Sequence, residues 1–195
     1  MKAKPRALFA FVASVGAALA SPRIAFAEET GTQTPRTQLN AGLRGGLAGQ
    51  GTSGPWPETL FYVGLHGDAL FGRRSPRSFG FGPAISASTT GFRDLTGTLG
   101  ASLLLPVHDY LPFVLSAGPT VRHHETYGND ASAYASLFWG SRSFNYTGNW
   151  GLAGGLVVEG RKTLTGPADH VLIVSAHLDL QILTLPAILL LNALR

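Results

Sequence analysis

The chain of 195 residues is long enough for one domain or a small two-part fold, and it contains 25 glycines and no cysteine. The absence of cysteine excludes disulfides, thiolate metal sites and a cysteine nucleophile. Charged residues make up only 13 % of the chain, about half of the usual ~25 %, which suits a β-sheet whose outer surface needs little charge.

The net charge of +4 comes from the beginning of the chain. Lys2, Lys4, Arg6 and Arg23 precede residue 28, and beyond that residue 11 basic side chains are balanced by 11 acidic ones. A formally neutral remainder has no basic surface that could neutralise phosphates, so no nucleic-acid partner is expected.

The first 27 residues have the pattern of a secretory signal peptide. A basic start is followed by the uncharged apolar residues 7–20, and Ala25 and Ala27 precede Glu28 in the small-x-small arrangement of a cleavage site. The apolar segment is shorter than the ~20 residues that a membrane-spanning helix needs, although an uncleaved N-terminal anchor is the alternative. We therefore predict export through the periplasm and cleavage before Glu28, with residues 18–20 as a second candidate site.

Residues 28–38 are polar and are expected to form a disordered lead-in to a domain over residues 39–195. From Leu39 onward apolar and polar residues alternate with a period of two, which is the period of a β-strand. In the clearest segment His177, Asp179 and Gln181 share one face while leucines and other apolar residues share the opposite face. The predicted strands are Leu39–Leu47, Phe61–His66, Phe79–Ser88, Leu95–Leu103, Phe113–Arg122, Ala133–Gly140, Trp150–Glu159 and His170–Ile182.

Most of these segments are close to the ~9–11 residues that a tilted strand needs to cross a bilayer, and eight is the smallest common strand number of a closed membrane barrel. The predicted fold is therefore all-β: a closed antiparallel eight-stranded up-and-down transmembrane barrel. Pro83 and Pro119 fall within predicted strands, where a central strand cannot spare their N–H groups, so we expect them to mark bulges or strand ends. The tail 183–195 either extends the last strand or forms a short helix from Pro186.

The predicted connections alternate in length. In membrane barrels short turns face the periplasm and long loops face outward. Aromatic residues gather near both predicted boundaries, as expected for rings that settle at headgroup depth. Short turns are predicted at Gly72–Arg77, His108–Leu111 and Arg142–Gly148, longer loops at Gly49–Pro57, His123–Asp130 and Arg161–Ala168, and an intermediate one at Thr89–Asp94.

The signal peptide, the alternation and the loop pattern together resemble the small eight-stranded outer-membrane β-barrel proteins of Gram-negative bacteria. The Gly- and Ala-rich segments GLRGGLAGQG and LSAGPTVR are similar in style to outer-membrane barrel proteins of myxobacteria-like organisms. The resemblance covers residues 39–182 and implies a monomer surrounded by outer-membrane lipid, without a cofactor. The sequence departs from this class at its end, because such barrels commonly close with a strand ending in an aromatic residue.

Polar residues on the inward face of the predicted strands are the candidate functional residues. Eight strands enclose a space that side chains just fill, so charges there must pair or stay hydrated. The predicted role is non-enzymatic and structural, or surface-interacting through longer loops that would hold a ligand of unknown chemistry. The predicted interior network, in which no residue is catalytic, consists of Arg44, His66, Asp68, Arg122, Glu159, Arg161, His177, Asp179 and Gln181.

Two other functions stay open. A lipid-modifying outer-membrane enzyme would use His177 with a serine and an acid, although no nucleophile elbow is present. A soluble periplasmic barrel that binds an apolar ligand would have its apolar residues inside and its polar residues outside. His123, His124 and Glu125 are residue types that bind metals, but adjacent side chains of a strand point to opposite faces, so no metal is expected.

Overall fold

The structure is a computed structural model that describes residues 37–75, 77–108, 111–124, 128–142, 154–165 and 169–180. The predicted signal peptide with Ala25, Ala27 and Glu28, the lead-in up to residue 36, Gln181 and the tail 183–195 lie outside these residues. Within them, no helix is both long and apolar enough to cross a membrane.

The described part of the chain forms eight β-strands in one closed sheet. Each strand pairs antiparallel with the strands before and after it in the chain, and β8 closes on β1. The fold predicted from the sequence, a closed eight-stranded up-and-down barrel, is therefore confirmed. The strands are β1 (Thr37–Gly51), β2 (Glu58–Phe71), β3 (Gly80–Thr90), β4 (Asp94–Leu105), β5 (Phe113–His124), β6 (Gly128–Ser141), β7 (Gly154–Thr163) and β8 (His170–Asp179).

Side chains alternate between the two faces of the barrel wall. On β8, Val174 and Leu178 are exposed on the outside, whereas His177 and Asp179 are buried inside. The other strands show the same division, with the apolar face outward and the polar face inward. Because the side-chain period is two, a register shift of one residue would turn the inward side chains of the shifted strand outward.

The strands are staggered where the barrel closes. A path that starts at Thr37 and moves from partner to partner around the wall returns to β1 at Leu47, ten residues further along that strand. Such a stagger requires strands that are tilted against the barrel axis. Between its two ends the path passes only through outward apolar residues: Phe71, Phe81, Leu103, Leu115, Leu137, Val158 and Val174.

Pro83 and Pro119 lie within β3 and β5, so the expectation that they mark bulges or strand ends is wrong. The β2–β3 ladder lacks its pairs at Gly82 and Pro83, and the β4–β5 ladder lacks those at Gly118 and Pro119. The register is the same on both sides of each gap, so no extra residue is inserted. Each proline has no N–H to donate, and at the glycine before it a side chain would collide with a carbonyl oxygen of the neighbouring strand. The wall therefore keeps its close strand spacing at the prolines and loses only local ladder bonds.

The connections also differ from the prediction. We call the end of the barrel where β1 begins and β8 ends the terminal end, and the opposite end the turn end. The longer connections are at the terminal end, which is the reverse of the predicted alternation, because β1, β5, β6 and β7 extend at the turn end into segments that the sequence suggested to be loops. The connections are 72–79, 106–112 and 142–153 at the terminal end, and 52–57, 91–93, 125–127 and 164–169 at the turn end.

Candidate functional site

The barrel interior contains most of the polar residues predicted from the alternation. They project from β1, β2, β7 and β8 and meet in the space that the wall encloses. Arg122 lies apart from them towards the turn end, and Gln181 is outside the described residues. The buried members of the predicted set are Arg44, His66, Asp68, Glu159, Arg161, His177 and Asp179.

Glu159 on β7 is the centre of one cluster. Its Oε2 accepts a hydrogen bond from Arg44 Nη1 at 3.2 Å, and its Oε1 accepts one from Arg161 Nε at 2.6 Å. Arg161 also donates through Nη2 to Ser88 Oγ at 3.0 Å, and its guanidinium lies over the ring of Tyr62 at 5.6 Å. Since the Glu159 side chain is only 1 % exposed, these two guanidinium groups replace the water that would otherwise solvate its charge.

Asp68 on β2 is the centre of a second cluster, and its main partner, Arg142, is absent from the sequence prediction. Arg142 follows the end of β6 and folds back into the barrel, where its Nη2 donates to the two carboxylate oxygens of Asp68 at 2.5 and 2.6 Å. With its amide oxygen and nitrogen exchanged, which satisfies both neighbours, Asn40 donates to Asp179 Oδ2 and accepts from Arg142 Nη2, each at 3.0 Å. His66 Nε2 lies 3.3 Å from Asp68 Oδ2. This cluster ties a connection to the strands β1, β2 and β8.

Two histidines lie where these clusters meet. The rings of His66 and His177 are edge to face with centroids 6.1 Å apart, and Phe138 contacts His177 in the same way at 5.5 Å. Both histidines line a cavity of about 10 Å³ together with Arg44 and Asp68, which is at most the space of one water molecule. Arg44, which is paired with Glu159, thus lines the same cavity as Asp68, so the two clusters adjoin in one column of charges.

Among the described residues, none makes the contact with His177 that a serine hydrolase needs. Such an enzyme places a serine hydroxyl within hydrogen-bond reach of the histidine. In the described part of the chain, His177 Nδ1 has no hydrogen-bond partner, and neither has the hydroxyl of Ser175 on the same strand. The packing of the His177 ring against Phe138 and His66 is that of an interior side chain.

A third cluster closes the interior near the turn end. Arg122 Nη2 lies 3.5 Å from Asp130 Oδ2, and its Nη1 lies 3.4 Å from Asp169 Oδ2. The same oxygen of Asp169 accepts a hydrogen bond from Gln50 Nε2 at 2.5 Å. Asp130 and Asp169 are missing from the prediction because the recognisable alternation begins only after them, at Ala133 and at His170.

The wall formed by β3 to β6 presents mainly small hydroxyl side chains to the interior. The hydroxyls of Ser86 and Thr98 are 2.5 Å apart, and those of Ser102 and Ser116 are 2.7 Å apart. These short side chains leave space for the long charged ones that project from the opposite wall. The buried hydroxyl residues of this wall are Ser86, Ser88, Thr90, Thr96, Thr98, Ser102, Ser116, Thr120, Ser132 and Ser136.

The histidines at the end of β5 have a different setting. His123 is exposed, and its Nδ1 lies 2.7 Å from Asn129 Oδ1, while Glu125 is outside the described residues. Across the described ranges, no group of three or more His, Cys, Asp or Glu side chains is placed to hold a metal ion.

Fold and interior together define a closed eight-stranded β-barrel with an apolar outer wall and an interior filled by ion pairs and hydroxyl groups. No protein-family model matches the sequence, and no curated protein is significantly similar to it. Its function is therefore inferred from the chemistry of the two faces of the wall.

Proposed function

We propose that this chain is a bacterial outer-membrane protein with a structural role, which crosses the bilayer with its eight strands and catalyses no reaction. The observation that carries the proposal is the contrast between the two faces of the wall. Phe81 and Leu99 are 61 % and 62 % exposed on the outside, whereas charged residues such as Glu159 are buried inside. Monomeric soluble proteins rarely expose apolar patches above a few hundred Å². Lipid, in contrast, favours an apolar outer face and a closed sheet without free edges.

The height of the apolar wall supports this proposal. Phe61 and Phe71 both point outward from β2 and are ten residues apart. At ~3.3 Å per residue and a tilt of ~35–45°, ten residues of a strand rise by about 25 Å. The apolar band of outer-membrane barrels has the same height of ~25 Å. The outward residues of β2 between them are the apolar Val63, Leu65, Gly67 and Ala69.

Aromatic rings stand at both edges of the wall. At the terminal end the rings of Phe113 and Trp139 have centroids 6.4 Å apart, and Phe79 is exposed nearby. At the turn end the same distance separates Phe61 and Phe92. Girdles of aromatic residues at both membrane interfaces are typical of membrane barrels.

The filled interior favours a structural role over a pore. Eight strands leave an interior that side chains just fill, and here the column of ion pairs and the hydroxyl wall occupy it. At the turn end the connections 91–93 and 125–127 are short, so recognition of a ligand by long loops is disfavoured at that end.

A soluble barrel with an apolar ligand would need the opposite arrangement of faces. The apolar residues inside the described barrel form small clusters that pack on one another. Val114 and Phe138 also line the interior cavity, but its volume of about 10 Å³ and its charged lining do not suit an apolar ligand. The larger of these clusters consists of Leu70, Leu104, Val114, Phe138 and Val157.

Cell fractionation tests the proposal. We expect the protein in the outer-membrane fraction, with known periplasmic and outer-membrane proteins as markers. We also expect the unboiled protein to migrate differently from the boiled protein in a denaturing gel, because a closed barrel resists the detergent. Recovery in the soluble periplasmic fraction would refute the membrane location, whatever its migration.

A further inference from the structure

We propose that the turn between β3 and β4 is an interfacial anchor, which places the ring of Phe92 at the boundary between lipid headgroups and acyl chains. This inference rests on the proposed membrane location. It goes beyond that location because it specifies which side of the barrel contacts the lipid headgroups at the turn end.

Phe92 has a backbone conformation that phenylalanine rarely adopts. Its φ is +58°, and that of Gly91 before it is also +58°. These two residues are the centre of a tight turn in which Arg93 N donates to Thr90 O at 3.2 Å. Glycine takes this conformation freely, but the Cβ atom of a bulky residue is crowded by it. Asn or Gly would fit the second central position without this strain, so the phenylalanine ring itself calls for an explanation.

Contacts within the protein do not provide that explanation. Phe92 is 75 % exposed, and its aromatic neighbour Phe61 is itself exposed on the outside of β2. The apolar surface continues from Phe61 along β2 to Val63 and Leu65, without a polar outward residue. Phe92 therefore shares one continuous apolar surface with the wall. Under the proposed membrane location, the lipid that covers the wall also covers this ring.

The turn presents this ring on a firm support. Gly91 N donates to Phe61 O at 2.7 Å. This hydrogen bond ties the turn to β2, one residue past the last pair of the β2–β3 ladder, Tyr62 and Thr90. Arg93 Nη1 pairs with Glu58 Oε1 at 3.0 Å, and both side chains are exposed. Glu58 lies nearer to the turn end than Phe61 on the same strand. A charged pair just beyond a pair of rings is the order expected where the hydrocarbon gives way to headgroups.

Among the described residues, the exposed aromatic side chains of the turn end lie on one side of the barrel. Trp56 in the neighbouring connection is exposed and packs against Gly49 of β1, so closely that a side chain there would collide with its ring. On the opposite side, His123, Asn129 and Lys162 of β5 to β7 are exposed and polar, and the exposed Leu164 that follows β7 is apolar but has no aromatic ring. Within the part of the chain that the structure describes, the aromatic anchor therefore lies in the sector of β1 to β3.

Tryptophan fluorescence in bilayers of brominated phosphatidylcholine tests the depth of the turn. In a background with Trp56→Phe, Trp139→Phe and Trp150→Phe, either Phe92→Trp or Leu65→Trp supplies the single fluorophore. We expect bromine near the headgroup end of the acyl chain to quench the tryptophan at 92 most strongly. Bromine near the chain terminus should quench the tryptophan at 65 most strongly. If this background does not fold, nitroxide labels on single cysteines at 92 and 65 measure the same two depths, since the chain has no cysteine of its own.

The two positions separate failure of the anchor from failure of the membrane proposal. Quenching at 65 but not at 92 would refute the anchor and leave the membrane location intact. No quenching at either position would refute both.

A second experiment removes the ring and keeps the turn. Phe92→Asn should fold in detergent as the wild type does, because asparagine tolerates positive φ, but it should insert more slowly into phosphatidylcholine vesicles. The matched variant Lys162→Asn, on the polar side, should insert at the wild-type rate. Insertion of Phe92→Asn at the wild-type rate would overturn the proposal.

Discussion

Arg44 on β1 and Glu159 on β7 form an ion pair across the barrel interior, although 115 residues separate them in the chain. Their strands are not neighbours in the sheet, because β8 lies between them. The ion pair therefore bridges the seam at which the last strand closes on the first. Arg161 shares the same carboxylate, so one acidic side chain holds two cations at this seam.

Replacement of Glu159 tests how much the seam depends on this carboxylate. Glu159→Gln leaves the guanidinium groups of Arg44 and Arg161 buried without their counter-ion. Removal of one partner of a buried ion pair costs about 3–5 kcal/mol, and we expect the lower part of this range because each arginine keeps polar neighbours. Urea unfolding of the refolded protein in lipid measures the loss.

The exposed pair of Glu58 and Arg93 supplies the control for this experiment. Both of its side chains are more than half exposed, so Glu58→Gln should change the free energy of unfolding by about 0–1 kcal/mol. Equal effects of Glu159→Gln and Glu58→Gln would contradict a stabilising role of the interior carboxylate.

Arg142→Lys tests the geometry of the second cluster without removing its charge. The side chain of lysine is one atom shorter than that of arginine, so its ammonium does not reach the position of Arg142 Nη2, which donates to both oxygens of Asp68. We expect a loss of about 1.5–3 kcal/mol, the range for a hydrogen bond to a charged group. Arg74→Lys, on an exposed residue of another terminal-end connection, should have no measurable effect. A fully stable Arg142→Lys variant would show that charge alone suffices at this position.

The barrel was predictable from the sequence because one periodicity determines it. Along β8, the alternation of Leu178 and His177 between the two faces follows directly from the pleat of a strand. The partners of the interior charges were not predictable to the same extent. Arg142 and Asp169 lie beyond strand ends, where no periodicity indicates whether a side chain folds inward or outward. Their positions depend on the three-dimensional course of the connections.

The orientation of the barrel in the membrane is a further prediction. With an even number of strands, β1 begins and β8 ends on the same side of the membrane. If that side is the periplasm, neither end of the barrel sequence has to cross the outer membrane during insertion. We therefore predict that the terminal end faces the periplasm. Loop length would suggest the opposite orientation, since the longer connections are at the terminal end. We expect a membrane-impermeant maleimide to label Ser53→Cys on intact cells, and to label Arg74→Cys only after lysis. The reverse labelling would mean that the barrel is inserted the other way round.

An arginine on the outer wall distinguishes a barrel in lipid from a barrel in water. Leu99 is near the middle of β4 and 62 % exposed on the outside, so Leu99→Arg in a water-soluble barrel would place a charge in solvent at almost no cost. In a bilayer the same change places the charge near the midplane, at a cost of about 2–4 kcal/mol.

Thr37→Arg provides the matched control, because Thr37 is exposed at the edge of the same wall, where an arginine should cost about 0–1 kcal/mol. The yield of heat-resistant barrel after refolding into lipid vesicles measures both effects. We expect Leu99→Arg to refold poorly and Thr37→Arg to refold like the wild type. If both variants refold equally well, the apolar wall does not face hydrocarbon, and another explanation is needed for the outward side chains along the path from Thr37 to Leu47.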